Sequence, residues 1–249
     1  MRRKGVLGML LALPVLAACA GPVATDTPTL TTTRAAPEEA ASETAREAMV
    51  EYQIQARGIA DERVLKAMLE VPRHRFVPPD YQGQAYSDQP LPIGLGQTIS
   101  QPYIVALMTE LLNIQPGDKV LEVGTGSGYQ AAVLAELTDE VYTIEIIETL
   151  AQRAAQTLRE AGYAHTQNKV ADGYYGWEEH APFDAIIVTC APDHVPQPLV
   201  AQLREGGRMV IPVGPPGSYQ TLWLIEKKGG QVVSFNQGAV RFVPLLGER

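Results

Sequence analysis

This chain of 249 residues has few cysteines, no net positive charge and no long apolar run. Its two cysteines, Cys19 and Cys190, allow one disulfide at most, and neither has the spacing of a C-x-x-C or zinc site. The formal net charge of −8 argues against an extended nucleic-acid interface, which needs clustered lysine and arginine. The four histidines are scattered, so we predict no metal site. The remaining composition is ordinary and excludes a disordered, collagen-like or disulfide-scaffold protein.

The first 45 residues are predicted to be an export signal followed by a tether. Basic residues at positions 2–4 precede an apolar run over residues 6–18, which is shorter than the roughly 20 residues that a membrane-spanning helix needs. This pattern indicates a secretory signal over residues 1–18. The segment LAAC, which ends at Cys19, resembles a bacterial lipobox, in which the cysteine is lipidated and becomes the mature N-terminus. Residues 19–45 are rich in Thr, Ala and Pro without an apolar period, so we interpret them as a flexible tether.

These segments predict where the protein resides. The protein is expected to be exported and lipid-anchored on the periplasmic side of the bacterial envelope, with the anchor as its only membrane contact. The alternative is a cytoplasmic protein whose translation starts at Met49, close to the start of the globular region. If Cys19 is acylated, Cys190 has no intramolecular partner, and its apolar surroundings predict a buried residue that is not a nucleophile.

Residues 46–249 are predicted to form one α/β domain. Its first part is helical, with helices over residues 44–57, 61–69 and 103–112, and Asp61 is expected to cap the second of these. Apolar strands then alternate with helices, which indicates a mostly parallel sheet covered on both faces. The predicted strands cover residues 119–123, 140–145, 169–171, 183–189 and 208–213, and the helices cover residues 129–137, 148–161 and 198–203.

The C-terminal part is predicted to add antiparallel strands. Residues 221–227 and 232–235 are joined by Lys228-Gly229-Gly230, which is a hairpin signal. A final strand is expected near residues 239–243.

A glycine turn after the strand 119–123 is the first predicted chemical site. Its sequence, GTGSG over residues 124–128, opens a helix whose first N–H groups are unpaired. Such turns bind nucleotides at the carboxyl end of a first strand. Glu145 lies about 20 residues further on and is placed to accept both ribose hydroxyls, although it could also be a solvated strand-end carboxylate. Asp172-Gly173 follows the third strand near the expected adenine, or forms a plain turn.

The spacing of the glycines indicates which class of nucleotide-like ligand the turn binds. The third glycine comes one position earlier than in the dinucleotide fingerprint G-x-G-x-x-G, and Tyr129 occupies the next place. This departure argues against a pyrophosphate ligand and makes a nicotinamide oxidoreductase the least favoured class. It favours the turn of methyltransferases that use S-adenosylmethionine. Glu122, just before the turn, could hold the ammonium of that cofactor. The predicted fold is therefore the Rossmann-like class I S-adenosylmethionine-dependent methyltransferase fold.

The sequence argues against a nucleic-acid base as the methyl acceptor. Methyltransferases of exocyclic amines often carry a D/N-P-P-Y/F motif after the fourth strand, whereas residues 188–192 here are VTCAP. Another distinctive segment is a loop that carries polar Gln97, Thr98 and Ser100 ahead of the helix 103–112. Loops over an α/β sheet often carry function. From the residues alone, Thr98 or Ser100 could equally be the N-cap of that helix.

The chain closely resembles the protein-L-isoaspartate O-methyltransferase family from about residue 49 to its end. The combination of LPIG with GQTISQP is highly specific, whereas the glycine turn is generic. The matching segments lie in order along about 200 residues: VPRHRFVP (71–78), LPIGLGQTISQPYIVALMTELL (91–112), VLEVGTGSGYQAAVLAEL (120–137), FDAIIVTCAP (183–192), LREGGRMVIPVG (203–214) and VRFVPL (240–245).

The resemblance implies transfer of a methyl group from S-adenosylmethionine to the α-carboxylate of L-isoaspartyl residues in damaged proteins or peptides. It implies Ser100 as the active-site serine, and Ile93, Gln97 and Val243 on the substrate side. The implied cofactor-binding residues are Thr98, Ile99, Glu122, Gly124, Thr125, Gly126, Ser127, Gly128, Glu145, Ile146, Asp172 and Gly173. An export signal departs from the family, whose members are usually intracellular, where the cofactor is made.

The expected chemistry suits a site without a strong base. An isoaspartyl carboxyl with a pKa of about 4 is already ionised at neutral pH, so Ser100 is expected to orient the acceptor and not to attack. Two other functions remain open. One is a tethered binding module that recognises the cofactor or damaged peptide without turnover, and the other is a methyltransferase for a different carboxylate or a small molecule.

Overall fold

The structure, a computed structural model, describes residues 35–247. The described chain begins with helix α1 (Ala35–Ala48), which continues into a π-helical turn, Met49–Ile54, and a 3-10 turn, Gln55–Arg57. Gly58 ends this run with a φ of 98°. None of the helices within residues 35–247 is long and apolar enough to cross a membrane.

Helix α1 corrects the predicted tether. The prediction of a coil is wrong for residues 35–45, because the segment Ala35–Ala48 contains six alanines and four glutamates, which favour helix more strongly than its one proline opposes it. The predicted single helix 44–57 is also divided, since its second half is a π-helical and then a 3-10 turn. The predicted signal, Cys19 and the rest of the tether lie outside the described residues.

Helix α2 (Glu62–Glu70) confirms the predicted cap, since the Asp61 carboxylate accepts a hydrogen bond from the Arg63 N–H at 2.9 Å. The remaining helices are α3 (Pro102–Leu112), α4 (Tyr129–Ala135), α5 (Glu148–Glu160) and α6 (Gln197–Gln202). The strands are β1 (Leu91–Gly94), β2 (Gln97–Ile99), β3 (Val120–Val123), β4 (Val141–Glu145), β5 (Gln167–Val170), β6 (Phe183–Val188), β7 (Leu203–Val213), β8 (Gln220–Lys228) and β9 (Gln231–Val240).

Seven strands form the central sheet in the order β5-β4-β3-β6-β7-β8-β9. Strands β5, β4, β3, β6 and β7 are mutually parallel, whereas β8 and β9 are antiparallel additions, so the predicted mostly parallel sheet is confirmed. The chain runs outward from β3 to β5 and then returns to β6 on the other side of β3. This reversal makes the carboxyl ends of β3 and β6 the switch point of the sheet, where open α/β sheets bind ligands.

The sheet is buried on both faces. Helices α3 and α4 cover one face, where Met108 and Leu134 belong to the same buried cluster as Val120. Helix α6 covers the other face, where Leu199 joins the cluster of Leu121. Neighbouring residues of β3 therefore face opposite layers, which explains its unbroken apolar sequence.

Strand β9 corrects the predicted C-terminal strands. Residues 232–235 and 239–240 belong to one strand that tolerates an irregular register opposite Thr221–Trp223, with Gly238 at a φ of 109°. The prediction of a separate strand at residues 239–243 is wrong, because the chain leaves the sheet after Val240. Beyond that point Pro244 forms an isolated bridge with Ala191. The predicted hairpin is confirmed, since Gly229 and Gly230 both have a positive φ between β8 and β9.

Lys227 joins β8 to the end of α6. Its ammonium donates hydrogen bonds to the carbonyl oxygens of Val200 (3.1 Å) and Leu203 (2.7 Å), at the C-terminal end of the helix, where a cation interacts favourably with the last carbonyl groups. The substitution Lys227→Met keeps the apolar stem but removes these bonds. We expect it to lower the free energy of unfolding by about 1.5–3 kcal/mol, as measured by urea denaturation.

Lys228→Met is the matched control. Lys228 is exposed and contacts Glu226, which keeps Arg208 as a second partner at 3.0 Å. Its loss is expected to cost less than about 1 kcal/mol. Equal losses for the two variants would contradict the capping role of Lys227.

Candidate active site

An open cavity lies at the carboxyl ends of β3, β4 and β6. Most residues predicted for the site line this one cavity, although they come from distant parts of the sequence. They are Gln97, Thr98, Ile99, Ser100, Glu122, Gly124, Thr125, Gly126, Ser127, Glu145, Ile146, Gly173 and Val243.

The glycine turn is shaped by what surrounds it. Gly124 has a φ of 101°, and a Cβ atom there would lie 2.5 Å from the Oγ1 of Thr189, which follows β6. That hydroxyl donates to the carbonyl oxygen of Gly124 at 2.7 Å. A side chain at position 124 would therefore push apart the turn and the end of β6.

Glu145 is held by main-chain amides at the end of β4. One carboxylate oxygen accepts from the Gly126 N–H at 2.8 Å, and the other accepts from the Ile147 N–H at 2.9 Å. These bonds fix the carboxylate at the cavity wall. Each oxygen keeps a further lone pair, so the group can still accept from a pair of hydroxyls, as predicted for a ribose.

Glu122 is the most unusual group of the cavity. It is fully buried, and one oxygen accepts from the Thr143 hydroxyl at 2.5 Å, while Thr143 and Thr125 share a hydrogen bond at 2.6 Å. The other carboxyl oxygen, Oε1, has no partner. Burial, together with the charge of Glu145, raises the pKa of Glu122 to about 8. A buried acceptor without a partner at a cavity wall suits a cationic N–H donor such as an ammonium.

The loop with Ser100 also lines the cavity. Strands β1 and β2 form a two-stranded ribbon whose turn, Gly94–Gly96, has three successive residues at positive φ, and Ser100 follows it. The N-cap of α3 is Gln101, which makes no side-chain cap bond, and Pro102 is the first helical residue. The alternative that Thr98 or Ser100 caps the helix is therefore wrong, and both line the cavity instead.

The C-terminal segment forms another wall of the cavity. Ala191, just after β6, donates to the carbonyl oxygen of Val243 at 2.8 Å and accepts from the Leu245 N–H at 2.9 Å. Sequence reasoning included Val243 but missed other lining residues, although the matching segment VRFVPL contains two of them. The missed residues are Val105, Val123, Tyr129, Gln130, Ile144, Ile147, Thr189, Cys190, Pro244, Leu245 and Leu246.

Cys190 is buried, as predicted, although it follows β6 and does not lie within the strand. Burial, with the nearby carboxylates, raises the pKa of its thiol. A neutral, buried thiol does not act as a nucleophile at neutral pH.

Three predicted site residues do not line the cavity. Gly128 precedes α4, and a Cβ there would lie 3.2 Å from Leu158, so its role in this structure is to bring α4 close to α5. Asp172 caps a 3-10 turn by accepting from the Tyr174 N–H at 2.9 Å. Ile93 lines a neighbouring groove on the other side of Gly126.

A family model described as protein-L-isoaspartate(D-aspartate) O-methyltransferase matches residues 44–249. The chain belongs to this family. A protein-L-isoaspartate O-methyltransferase of Shewanella sediminis is 57% identical over 203 residues, which are 82% of this chain and 83% of that protein. One from Gloeobacter violaceus is 55% identical over 81% of this chain and 98% of its own length.

Solved isoaspartate methyltransferases share the fold. One structure with the name protein-L-isoaspartate O-methyltransferase is 30% identical, with a TM-score of 0.73 over 81% of this chain and 66% of its own. A β-aspartate methyltransferase from Plasmodium falciparum, in complex with S-adenosyl-L-homocysteine, is 28% identical, with a TM-score of 0.71 over 81% of this chain and 98% of its own. The class I methyltransferase fold predicted from the sequence is confirmed.

Glu122 should make the stability of the ligand-free protein depend on pH. The pKa is about 8 in the folded protein and 4.5 ordinarily, so between these values the folded state keeps a proton that the unfolded chain has lost. Raising the pH through this window therefore lowers the free energy of unfolding, by an amount on the order of a few kcal/mol. Glu122→Gln should flatten that part of the profile in denaturant titrations from pH 5 to pH 9.

The control is Glu148→Gln, at an exposed position on the first turn of α5. Its profile should run parallel to that of the parent protein. A profile of Glu122→Gln that also ran parallel to the parent would show that Glu122 does not carry the buried proton.

Proposed function

We propose that this protein transfers a methyl group from S-adenosylmethionine to the α-carboxylate of L-isoaspartyl residues in proteins and peptides. The observation that carries the proposal is that one cavity is lined by both the glycine turn with Glu145 and the loop with Ser100. The glycine turn and Glu145 suit a nucleoside-bearing cofactor. The loop with Ser100 is the most family-specific segment of the chain. The relatives that share this chain's family carry the same activity in their names.

The residues of the cavity fit S-adenosylmethionine. Glu122 offers a buried oxygen without a partner to the ammonium, and Glu145 offers a fixed carboxylate to the ribose hydroxyls. The main chain at Gly124 and Gly126 allows close approach of a ligand because neither residue has a side chain. The cofactor supplies a methyl group on a positively charged sulfonium.

Ser100 is proposed to orient the acceptor. The isoaspartyl carboxylate is ionised at neutral pH and needs no base to attack the methyl carbon. A serine hydroxyl that donates to one carboxylate oxygen can direct the other toward the methyl group. Transfer turns a carboxylate and a sulfonium into a neutral ester and a neutral thioether, so a cavity that excludes water favours it. Leu245 and Val243 lie at the cavity wall and contribute to that exclusion.

Paired peptides test this reaction. Residues 20–249 with radiolabelled S-adenosylmethionine should give base-labile label on an isoaspartyl peptide and none on its normal aspartyl twin. Ser100→Ala should lower kcat/KM for the isoaspartyl peptide by about 10- to 100-fold, because a hydrogen bond to a charged group is lost.

Ser234→Ala is the matched control, since Ser234 is an exposed residue of β9 that does not line the cavity. It should keep the parent kcat/KM. An unchanged value for Ser100→Ala would overturn the orienting role. Cofactor binding with label on neither peptide would favour the binding module, and label on a competing carboxylate alone would favour a different acceptor.

We also propose that the chain is exported and anchored to the bacterial envelope through a lipid on Cys19. The basic start, the short apolar run and the lipobox-like LAAC support this proposal. Positions 19–34 would then separate the anchor from α1. An exported enzyme would depend on cofactor that reaches it outside the cytoplasm.

Expression of the full chain in bacteria tests the anchor. The parent protein should fractionate with membranes, and mass spectrometry should find a lipid-modified N-terminal Cys19. Cys19→Ser should be released from the membrane fraction, while Cys190→Ser, the control at the other cysteine, should remain there. A mature chain that begins at Met49 and stays in the cytoplasm would contradict the proposal.

A further inference from the structure

A buried guanidinium without a counter-ion lies behind the acceptor loop. Arg73 is fully buried, and its Nε donates to the carbonyl oxygen of Ala85 at 2.7 Å. Its Nη2 donates to the carbonyl oxygen of Ser100, also at 2.7 Å, whereas Nη1 has no partner. Among the described residues, none of the ion pairs involves Arg73. Burying a charge in this way costs several kcal/mol unless something offsets it.

Arg73 contacts two residues that line the cavity, Ser100 and Tyr129. Its contact with the Ser100 carbonyl is on the acceptor side, and its Cζ atom lies 4.8 Å from the ring centroid of Tyr129. Tyr129 is the first residue of α4, directly after the glycine turn, and lines the cavity as Ser100 does. The guanidinium therefore lies behind the wall, between the acceptor loop and the cofactor turn.

The charges that line the cavity explain why such a cation is useful. The residues around the cavity include two carboxyl groups, Glu122 and Glu145, but no lysine or arginine. A carboxylate acceptor would be attracted by a positive charge near its binding place, and none of the lining side chains supplies one. Burial lowers the pKa of Arg73 to about 10, which still leaves it charged at neutral pH.

We infer that Arg73 is the positioning residue that supplies the counter-charge for the acceptor carboxylate, acting through the peptide group of Ser100. The inference rests on the proposed function, because only an anionic acceptor would be attracted by this buried charge. Arg73 does not line the cavity, so it acts from behind the wall and does not touch the reacting atoms. In addition, its bonds to Ala85 and Ser100 fix the loop that carries the serine.

Removal of the charge should weaken binding of the acceptor selectively. In Arg73→Gln we expect the KM for an isoaspartyl peptide to rise about 10- to 30-fold, which corresponds to a charge pair several ångströms apart at an effective dielectric constant of about 20. Affinity for S-adenosylhomocysteine, measured by calorimetry, should stay within about threefold of the parent value.

Arg73→Lys tests the role of the charge most directly, because a buried ammonium loses its proton at a lower pH than a guanidinium does. Its KM for the peptide, at saturating cofactor, should approach the parent value near pH 6.5 and rise toward pH 9. The ratio of this KM to that of the parent protein should therefore climb with pH. A residue that only fills space would not produce this titration.

Arg75→Gln is the matched control. Arg75 belongs to the same 3-10 turn, Arg73–Phe76, but is exposed and lines the neighbouring groove. It should keep the parent KM. The inference is overturned if Arg73→Gln loses thermal stability and cofactor affinity while its KM is unchanged, or if the ratio for Arg73→Lys is flat with pH.

Failure of the proposed function has a different signature. A parent protein that binds S-adenosylhomocysteine but labels no isoaspartyl peptide would overturn that function, and the inference with it. Should Arg73→Gln not fold, the pH profile of Arg73→Lys decides alone.

Discussion

The close contact between the glycine turn and the ends of β4 and β6 determines the geometry of the whole site. The Gly124 N–H donates to the carbonyl oxygen of Ile144 in β4, and Thr189 after β6 bonds back to Gly124. There is no room for a Cβ atom at position 124. Because this backbone is fixed from both sides, the amide of Gly126 meets Glu145, and the cofactor and acceptor groups share one cavity.

The site also depends on an uneven arrangement of charge. Two carboxyl groups lie in the cavity wall on the cofactor side, where Glu122 is too buried to ionise easily and Glu145 is held by amides. The buried cation Arg73 lies behind the acceptor loop. A cationic cofactor and an anionic acceptor would each meet the opposite charge on their own side.

The sequence predicted the sheet, the glycine turn and most of the cavity well, because these features have local signals. Strands β3, β4 and β6 are short, apolar and separated by helices, and glycine is the residue that a turn such as Gly124–Gly128 requires. Long-range contacts had no such signal. The roles of Gly128 and Thr189 depend on how close α5 and β6 approach the turn. Arg73 belongs to the quoted segment VPRHRFVP, yet its burial was not foreseen, since arginine is usually exposed.

The separate ribbon of β1 and β2 has a consequence for how such proteins diversify. The ribbon shares no strand pairing with the seven-stranded sheet, and Thr98 and Ser100 are carried on it or directly after it. Most of the implied cofactor-binding residues, by contrast, lie at or after the ends of the sheet strands, and Thr98 and Ile99 on the ribbon are the exceptions. Substitutions in the ribbon could therefore change the acceptor that the protein methylates. The cofactor-binding residues at the ends of the sheet strands would stay unchanged.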